Sequence, residues 1–293
     1  MKGIILAGGT GSRLYPLTKA ITKQLIPVYN KPMIYYPLST LMLAGIKDIL
    51  IICKEQDLKT YNNLFGTGQQ VGINISYEIQ HSPNGIAESF IIGEEFIGED
   101  DVCLILGDNI FHGNDLGSVL ESSVNVIERN GGAIIYGYHV NNPQDYGVIG
   151  YNKKFKVTSI VEKPHKPKSN CAAVGIYMYD NSVIEIAKNI EPSERSELEI
   201  TSVNNFYLKK GQLKLERLGR GYAWFDAGSS DSLLKASNFV KTIEARTGLK
   251  IACIEEVAYY KNFIDKQQLL TLTEDLKKSE YGKYLLGLLE ENE

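Results

Sequence analysis

The sequence is short of the residues that build metal clusters or staple small folds. Its four cysteines, Cys53, Cys103, Cys171 and Cys253, lie far apart with no CxxC pair, so neither a zinc knuckle nor a dense disulfide framework is expected. They read as reduced, mostly buried thiols. His81, His139 and His165 form no metal-ligand spacing and receive no chemistry. Long apolar runs are missing too. After Met1-Lys2-Gly3 only Ile4 to Ala7 are continuously apolar, too short for a signal-peptide core or a membrane span, and the expected location is cytoplasmic. No Pro/Gly/Ser-rich linker, repeat or low-complexity block divides the chain. Nor does one charge dominate: 31 Lys and Arg face 35 Asp and Glu, a net charge of -4, which gives no whole-protein attraction to nucleic acid or an anionic membrane. An anionic ligand therefore needs a local pocket.

What is present is material for a packed core. Hydrophobic residues make up 43% of the 293 residues and charged residues 23%, ordinary globular usage. At roughly 150 residues per domain, the length fits one large or two intimate domains. Short β-branched runs at 3–7, Asp48–Cys53 and Val102–Leu106 read as strands buried on both faces. Residues 37–44, 57–64 and 116–129 between and after them have helix-compatible apolar spacing. This alternation predicts an α/β, Rossmann-like fold: a mainly parallel or mixed central sheet with helices on both faces. Further strands are expected at 146–150, 156–161, 172–179 and Leu213–Leu218, long helices at 197–210 and 230–246, and a C-terminal helical appendage over 265–289.

Gly8, Gly9 and Gly11, with Arg13, follow the first strand directly. Glycines there let backbone N–H groups approach a phosphate while a cation neutralises it. The dinucleotide fingerprint fails because Leu14 occupies its last glycine position, and the Walker pattern fails because no Gly-Lys-Ser/Thr follows at the required spacing. Arg13 offers a planar fork for phosphate oxygens, and Lys23-Gln24, ten residues on, adds a compact cation beside an amide able to read a base. Taken alone, the same residues also describe a flexible turn with surface cations.

Gly8-Gly9-Thr10-Gly11-Ser12-Arg13-Leu14 followed by Lys23-Gln24-Leu25-Ile26-Pro27-Val28 resembles the signature of the sugar-phosphate nucleotidylyltransferase family. Lys31-Pro32-Met33-Ile34-Tyr35-Tyr36-Pro37, Leu106-Gly107-Asp108-Asn109, Tyr146-Gly147-Val148, Glu162-Lys163-Pro164 and Gly219-Arg220-Gly221-Tyr222-Ala223-Trp224 are similar to its glucose-1-phosphate thymidylyltransferase branch, and the likeness covers nearly the whole chain. The resemblance implies transfer of dTMP from dTTP to glucose 1-phosphate, giving dTDP-glucose and pyrophosphate, with Mg²⁺ as cofactor. It also implies a homotetramer built from dimers and a product feeding deoxysugar, rhamnose-type, cell-surface polysaccharide synthesis. No nucleic-acid polymer or membrane partner is implied. By the same likeness, residues 1–250 form the catalytic domain, with a nucleotide-binding part at about 1–140 and a sugar-binding part at about 141–230. Residues 251–293 then form a helical dimer and regulatory region.

In the implied reaction a sugar-phosphate oxygen attacks the α-phosphorus and pyrophosphate leaves, with no covalent enzyme intermediate. A phosphate monoester has a second pKa near 6, so the nucleophile is largely dianionic at neutral pH and needs no general base. Catalysis reduces to charge and alignment. Residue by residue, the resemblance places Asp108 and Asp226 at the metal, Arg13 on the leaving phosphates, Lys23 on the triphosphate and Lys163 on the sugar phosphate. Mg²⁺ suits this, since it takes one or two carboxylates plus phosphate oxygens and water. Either aspartate alone would more often be a turn cap. Gly8, Gly9, Gly11, Gln24, Gln80, Gly85 and Asp108 match nucleotide-binding positions; Asn109, Gly147, Glu162 and Tyr177 match the sugar pocket, though Tyr177 equally reads as a core aromatic. His112, Arg220, Lys250 and Glu256 match a second, regulatory nucleotide site at a subunit interface.

Three segments depart from the family pattern. Pro83-Asn84-Gly85-Ile86-Ala87-Glu88 stands where Pro-Asp-Gly-Leu-Ala-Gln is usual, and Ala172-Ala173-Val174-Gly175-Ile176-Tyr177 where Ala-Val-Thr-Gly-Leu-Tyr is usual. Asp226-Ala227-Gly228-Ser229-Ser230 replaces Asp-Thr-Gly-Thr-His. These leave base and sugar identity open, so a related nucleotidylyltransferase using UTP or another sugar 1-phosphate is the nearest alternative. A non-catalytic nucleotide-sugar sensor is a further one, disfavoured because Arg13, Lys23, Asp108, Lys163 and Asp226 are all retained.

Overall fold

The computed structural model describes residues 1–290. Strand β1 (Lys2–Leu6) has Ile4 and Ile5 fully buried. Successive strand side chains point to opposite faces, and accordingly Ile5 joins an apolar cluster on one side of the sheet and Ile4 a cluster on the other. After β1 come the two-residue strands β2 (Pro27–Val28) and β3 (Lys31–Pro32), then helix α1 (Tyr35–Leu43), β4 (Asp48–Cys53), α2 (Glu55–Phe65) and β5 (Asn74–Ile79). Helices α3 (Glu88–Ile92) and α4 (Glu94–Ile97) lead to β6 (Val102–Leu106), β7 (Asn109–Gly113), α5 (Leu116–Asn130) and β8 (Ala133–His139). The hairpin β9 (Gly147–Tyr151) and β10 (Val157–Glu162) precedes β11 (Cys171–Tyr179), α6 (Val183–Lys188), α7 (Ile200–Lys209), β12 (Leu213–Leu218) and β13 (Tyr222–Asp226). Helices α8 (Ser230–Thr247), α9 (Ile254–Tyr260), α10 (Lys266–Thr273) and α11 (Glu280–Glu290) complete the chain described.

The sheet is mixed. Strands β5, β4, β1 and β6 pair in parallel, with Ile4 between Leu50 and Leu104. β11 runs antiparallel to β6, and its other edge carries β8, beyond which β12 lies parallel. On the edge facing β6, β11 changes partner along its length. Residues 176–179 pair with β6, whereas Ala172 pairs with Val148 of the β9–β10 hairpin. Between the end of β6 and the start of β9, beside Gly175, a cleft opens. Open α/β sheets bind ligands beyond the carboxyl ends of their parallel strands, and the cleft lies at such an end.

Helices cover both faces, as the alternation predicts. Leu38 and Leu41 of α1, Tyr61 of α2 and Leu120 of α5 pack on one side, and the terminal helices contribute Ile254, Leu269 and Leu285 to that same cluster. Phe90 of α3, Ile186 of α6 and Val203 of α7 pack on the other. Helix α8 starts at a Ser229–Ser232 capping box and closes a smaller cluster with Val28, Ile110 and Ala227. Two local readings change. The helix expected from residue 197 begins at Ile200, because the backbone at Glu199 stays extended. The polar loop after β6 shrinks to Gly107-Asp108, because Asn109 already pairs with Asp226 in a ribbon of β7 and β13. Among the described residues no helix is long and apolar enough to cross a membrane.

Candidate active site

The ribbon of β7 and β13 sets two aspartates side by side. Asp226 lies opposite Asn109, and the Ala227 N–H donates to the Asp108 carbonyl at 3.0 Å. Lys23 pairs with the Asp108 carboxylate, and both side chains are largely buried. Burial pushes the Asp108 carboxyl up, but the Lys23 charge and hydrogen bonds from Lys23 and Asn109 hold it below its ordinary value. Asp226 goes the opposite way: burial and the Asp108 charge raise it to about 6, against the pull of Lys23 and Arg13. Arg13 Nη2 stands 3.8 Å from Asp226 Oδ2, while Oδ1 is buried without a hydrogen-bond partner among the described residues. An orphaned carboxylate oxygen beside a second carboxylate fits a hard dication. Among the described residues no group of three or more His, Cys, Asp or Glu could hold a metal, so an ion here would complete its shell with phosphate and water.

In front of the aspartates lies a cavity of about 220 Å³ whose walls include Arg13, Asn109, Gly147, Glu162, Lys163, Tyr177 and Thr201. Glu162 ends β10 opposite Gly147. Thr201 Oγ1 donates to Glu162 Oε2 at 2.6 Å, and Arg195 Nη2 to Oε1 at 3.4 Å. Lys163 has φ 39°, in the left-handed region, and its N–H donates to the Tyr146 carbonyl at 3.0 Å. A non-glycine residue held there beside a cleft points to function. Tyr177 belongs to the core cluster, stacked on Tyr179 at 6.4 Å, and also forms part of the cavity wall.

Beyond the carboxyl ends of β1, β4 and β5 a second cavity of about 450 Å³ is walled by Gly8, Lys54, Glu55, Gln80 and His81. A β-carbon at Gly8 would stand 2.2 Å from Gln80 Oε1, so any side chain there would displace that amide. Gly9 continues the same loop and Gly11 turns it with φ 65°. Gly85 acts through its backbone: φ is 112°, and a β-carbon would fall 2.4 Å from the Leu198 carbonyl. Gln24 is 2% exposed, accepts from the Thr22 hydroxyl at 3.2 Å and packs against Gly107, behind these walls.

The nucleotidyl transferase family matches residues 2–243, a span that takes in both cavities and every residue at the paired aspartates. The chain belongs to that family. The glucose-1-phosphate thymidylyltransferase of Neisseria meningitidis serogroup A is 50% identical over 289 residues, 99% of each chain. That of Mycobacterium tuberculosis is 52% identical over 292 residues, covering all of both. Among solved structures, a chain described as a glucose-1-phosphate thymidylyltransferase from Bacillus anthracis, complexed with a sucrose, is similar with a TM-score of 0.75 and 41% identity, covering 82% of this chain and 94% of that one. A UDP-glucose pyrophosphorylase complexed with UDP-glucose gives a TM-score of 0.73 at 25% identity, covering 83% and 98%.

In this nucleotidyl transferase the four residues matched to a regulatory site separate into three and one. His112, Lys250 and Glu256 wall a cavity of about 250 Å³ between β7 and α9. Burial lowers the His112 pKa and raises that of Glu256, and Lys250 Nζ donates to Glu244 Oε2 at 3.1 Å. Arg220 lies apart, with Arg217, at a cavity of about 550 Å³ beside β8 and β12. Arg195 and Thr201, to which the sequence reading gave no role, hold Glu162 at the first cavity, and Glu88, named there only as a departure from the family pattern, accepts from Gln80 Nε2 at 2.8 Å. A lone arginine in the acid-rich run 191–199 was the available signal for Arg195.

Proposed function

We propose that the protein is a Mg²⁺-dependent glucose-1-phosphate thymidylyltransferase, transferring dTMP from dTTP to glucose 1-phosphate and releasing pyrophosphate. One observation carries the reading. Arg13, Lys23 and the two aspartates meet beside a cavity walled by Glu162 and Lys163, while Gly8 and Gln80 wall another at the neighbouring strand ends. Relatives of that name, half identical along the whole chain, support it.

Glucose 1-phosphate occupies the smaller cavity, its hydroxyls donating to Glu162 and its phosphate paired with Lys163. The Gln80 amide meets the base of dTTP, and the triphosphate follows the glycine loop to Arg13. Asp108 and Asp226 would hold Mg²⁺, which when bound offsets the charge between the two phosphate groups. With Asp226 titrating at about 6, both carboxylates are ionised for that task at neutral pH. Lys23 neutralises charge at the α-phosphorus, and Arg13 receives the leaving pyrophosphate. The dianionic nucleophile needs no base, so alignment and fixed positive charge lower the barrier.

The catalytic unit spans residues 1–250, and the helices from α9 to α11 belong to the dimer and regulatory region expected over 251–293, of which 291–293 lie outside the described residues. The assembly is a cytoplasmic homotetramer built from dimers, whose product supplies rhamnose-type deoxysugar synthesis. His112, Lys250 and Glu256 form its regulatory nucleotide site, which Arg220 joins in the oligomer. UTP is the rival nucleotide, favoured by the likeness to the UDP-glucose pyrophosphorylase structure. Pyrophosphate release from dTTP, glucose 1-phosphate and Mg²⁺, with each component replaced in turn, tests the reading. Faster turnover with UTP, or none with glucose 1-phosphate, would sink it.

A further inference from the structure

Gln80 Nε2 donates to Glu88 Oε2 at 2.8 Å, and Asn84 Nδ2 donates to Glu88 Oε1 at 2.7 Å. An ionised carboxylate only accepts hydrogen bonds. Gln80 can therefore meet Glu88 in one orientation, N–H toward the carboxylate and Oε1 turned away from it. That oxygen lies against the α-carbon of Gly8, in the wall of the nucleotide cavity. Gln80 is 5% exposed, so little water is at hand to compensate a wrongly turned amide.

We propose that Asn84 and Glu88 form a two-residue relay that holds the Gln80 amide with its oxygen toward the base, making the site selective for bases with an N3–H donor. Thymine and uracil carry that donor. Cytosine carries an acceptor at N3, and two acceptors facing each other in a desolvated pocket leave both unpaired. The inference rests on the reading that this cavity takes the nucleotide base, and it adds the groups that set which bases enter.

The relay also accounts for the departure from the family pattern at these two positions. In an Asp…Gln pair the aspartate accepts from the glutamine, whose own oxygen is then left for Gln80. Here the polarity is exchanged: Asn84 donates and Glu88 accepts. Both pairings present an acceptor to Gln80. A mixed Asn…Gln pair does not, because two amides can turn together and offer Gln80 either a donor or an acceptor.

The test compares kcat/KM for dTTP and dCTP, with glucose 1-phosphate and Mg²⁺ saturating, in the wild-type protein, Glu88→Gln, and the double variant N84D/E88Q. The wild type is expected to prefer dTTP by about 100-fold or more. Glu88→Gln lowers that ratio by at least about tenfold, and adding Asn84→Asp restores it, because the new aspartate again dictates which way the new glutamine faces. Glu88→Ala, which removes the acceptor altogether, carries the same expectation as Glu88→Gln and stands in should the isosteric variant not fold. A ratio unmoved by Glu88→Gln and Glu88→Ala, or lost and not restored in the double variant, overturns the relay. Absence of dTTP turnover in the wild type instead overturns the parent reading, so the two failures are told apart.

Discussion

Trp224 Nε1 donates to Asn109 Oδ1 at 2.6 Å, and the amide held in this way donates from Nδ2 to Asp108 Oδ1 at 3.0 Å. The indole is thereby one residue removed from a carboxylate proposed to hold the metal. Asn109 Oδ1 also accepts from the Gly175 N–H at 3.2 Å, which ties the same amide to β11. Tyr138 and Tyr146 pack edge-on against the indole at 5.9 and 5.2 Å, so the ring is fixed by packing as well as by its N–H.

Trp224→Phe keeps most of that packing and deletes the donor. Losing one buried hydrogen bond is expected to lower stability by about 1–2 kcal/mol. The Asp108 carboxylate loses its brace, so turnover falls and more Mg²⁺ is needed to reach half-maximal rate. Urea unfolding and a Mg²⁺ titration of the initial rate check the two effects separately. An unchanged Mg²⁺ requirement would remove Trp224 from any role at the metal.

Lys163→Met keeps an unbranched side chain of similar length and removes the cation. Deleting one preorganised contact to a phosphate in a desolvated site is expected to lower kcat by roughly 10²–10³-fold. Nucleotide binding in calorimetry should persist, because Gln80 and Gly8 wall the other cavity. Near-normal turnover at saturating substrate would reject the role given to Lys163.

Asp226 produces a pH dependence whose sign can be worked out. Its carboxyl titrates at about 6 in the folded chain against an ordinary 3.8, through burial and the Asp108 charge. Between these values the folded state keeps a proton that the unfolded chain has released, so stability falls as pH rises through the window and the penalty is complete above it. Asp226→Asn removes the penalty. It is expected to stabilise the metal-free protein by about 1–3 kcal/mol at about pH 7.5, with the gain vanishing toward about pH 4, while Mg²⁺-dependent turnover is lost. Melting curves across that range decide it; a variant no more stable than the wild type at the higher pH contradicts the account.

How far the fold could be read from the sequence depended on how local its determinants are. The apolar runs that make up β6 and all of β4 after Asp48 stand out by hydrophobicity alone, since strands covered on both faces need no other pattern. β8 carries Gly137 in its middle, and the polar residues Asn74, Ser76 and Glu78 alternate along β5, so neither stands out as a buried run. At the two cavities, the family resemblance named Asp108, Asp226, Glu162 and Lys163 but said nothing of the side chains that hold them. Arg195 and Thr201 reach Glu162 from 33 and 39 residues away, a relationship created by the fold and invisible in any window. Gln24 and Gly85 illustrate the converse, motif positions whose backbones and packing shape the walls from behind.

Helix α8 is fastened to β3 and the residue before it through one buried carboxylate. Glu244 accepts from Asn30 Nδ2 at 2.7 Å, Lys31 Nζ at 3.2 Å, Lys250 Nζ at 3.1 Å and the Ile251 N–H at 3.0 Å. Burial pushes its carboxyl up, but the Ile251 N–H and the two lysines bring it below the ordinary 4.5. A depressed carboxyl favours the folded state above the unfolded pKa, and that contribution is lost as pH falls through the folded one. Glu244→Gln leaves the Lys31 ammonium, 5% exposed, without its counter-ion. Breaking a buried pair from one side is expected to destabilise by about 3–5 kcal/mol at neutral pH. The difference should shrink as acid protonates Glu244 in the wild type, because both chains then present a neutral group to Lys31. Denaturant unfolding at neutral and acidic pH measures it. A loss of the same size at both would mean that the shape of the side chain, and not its charge, ties α8 to β3.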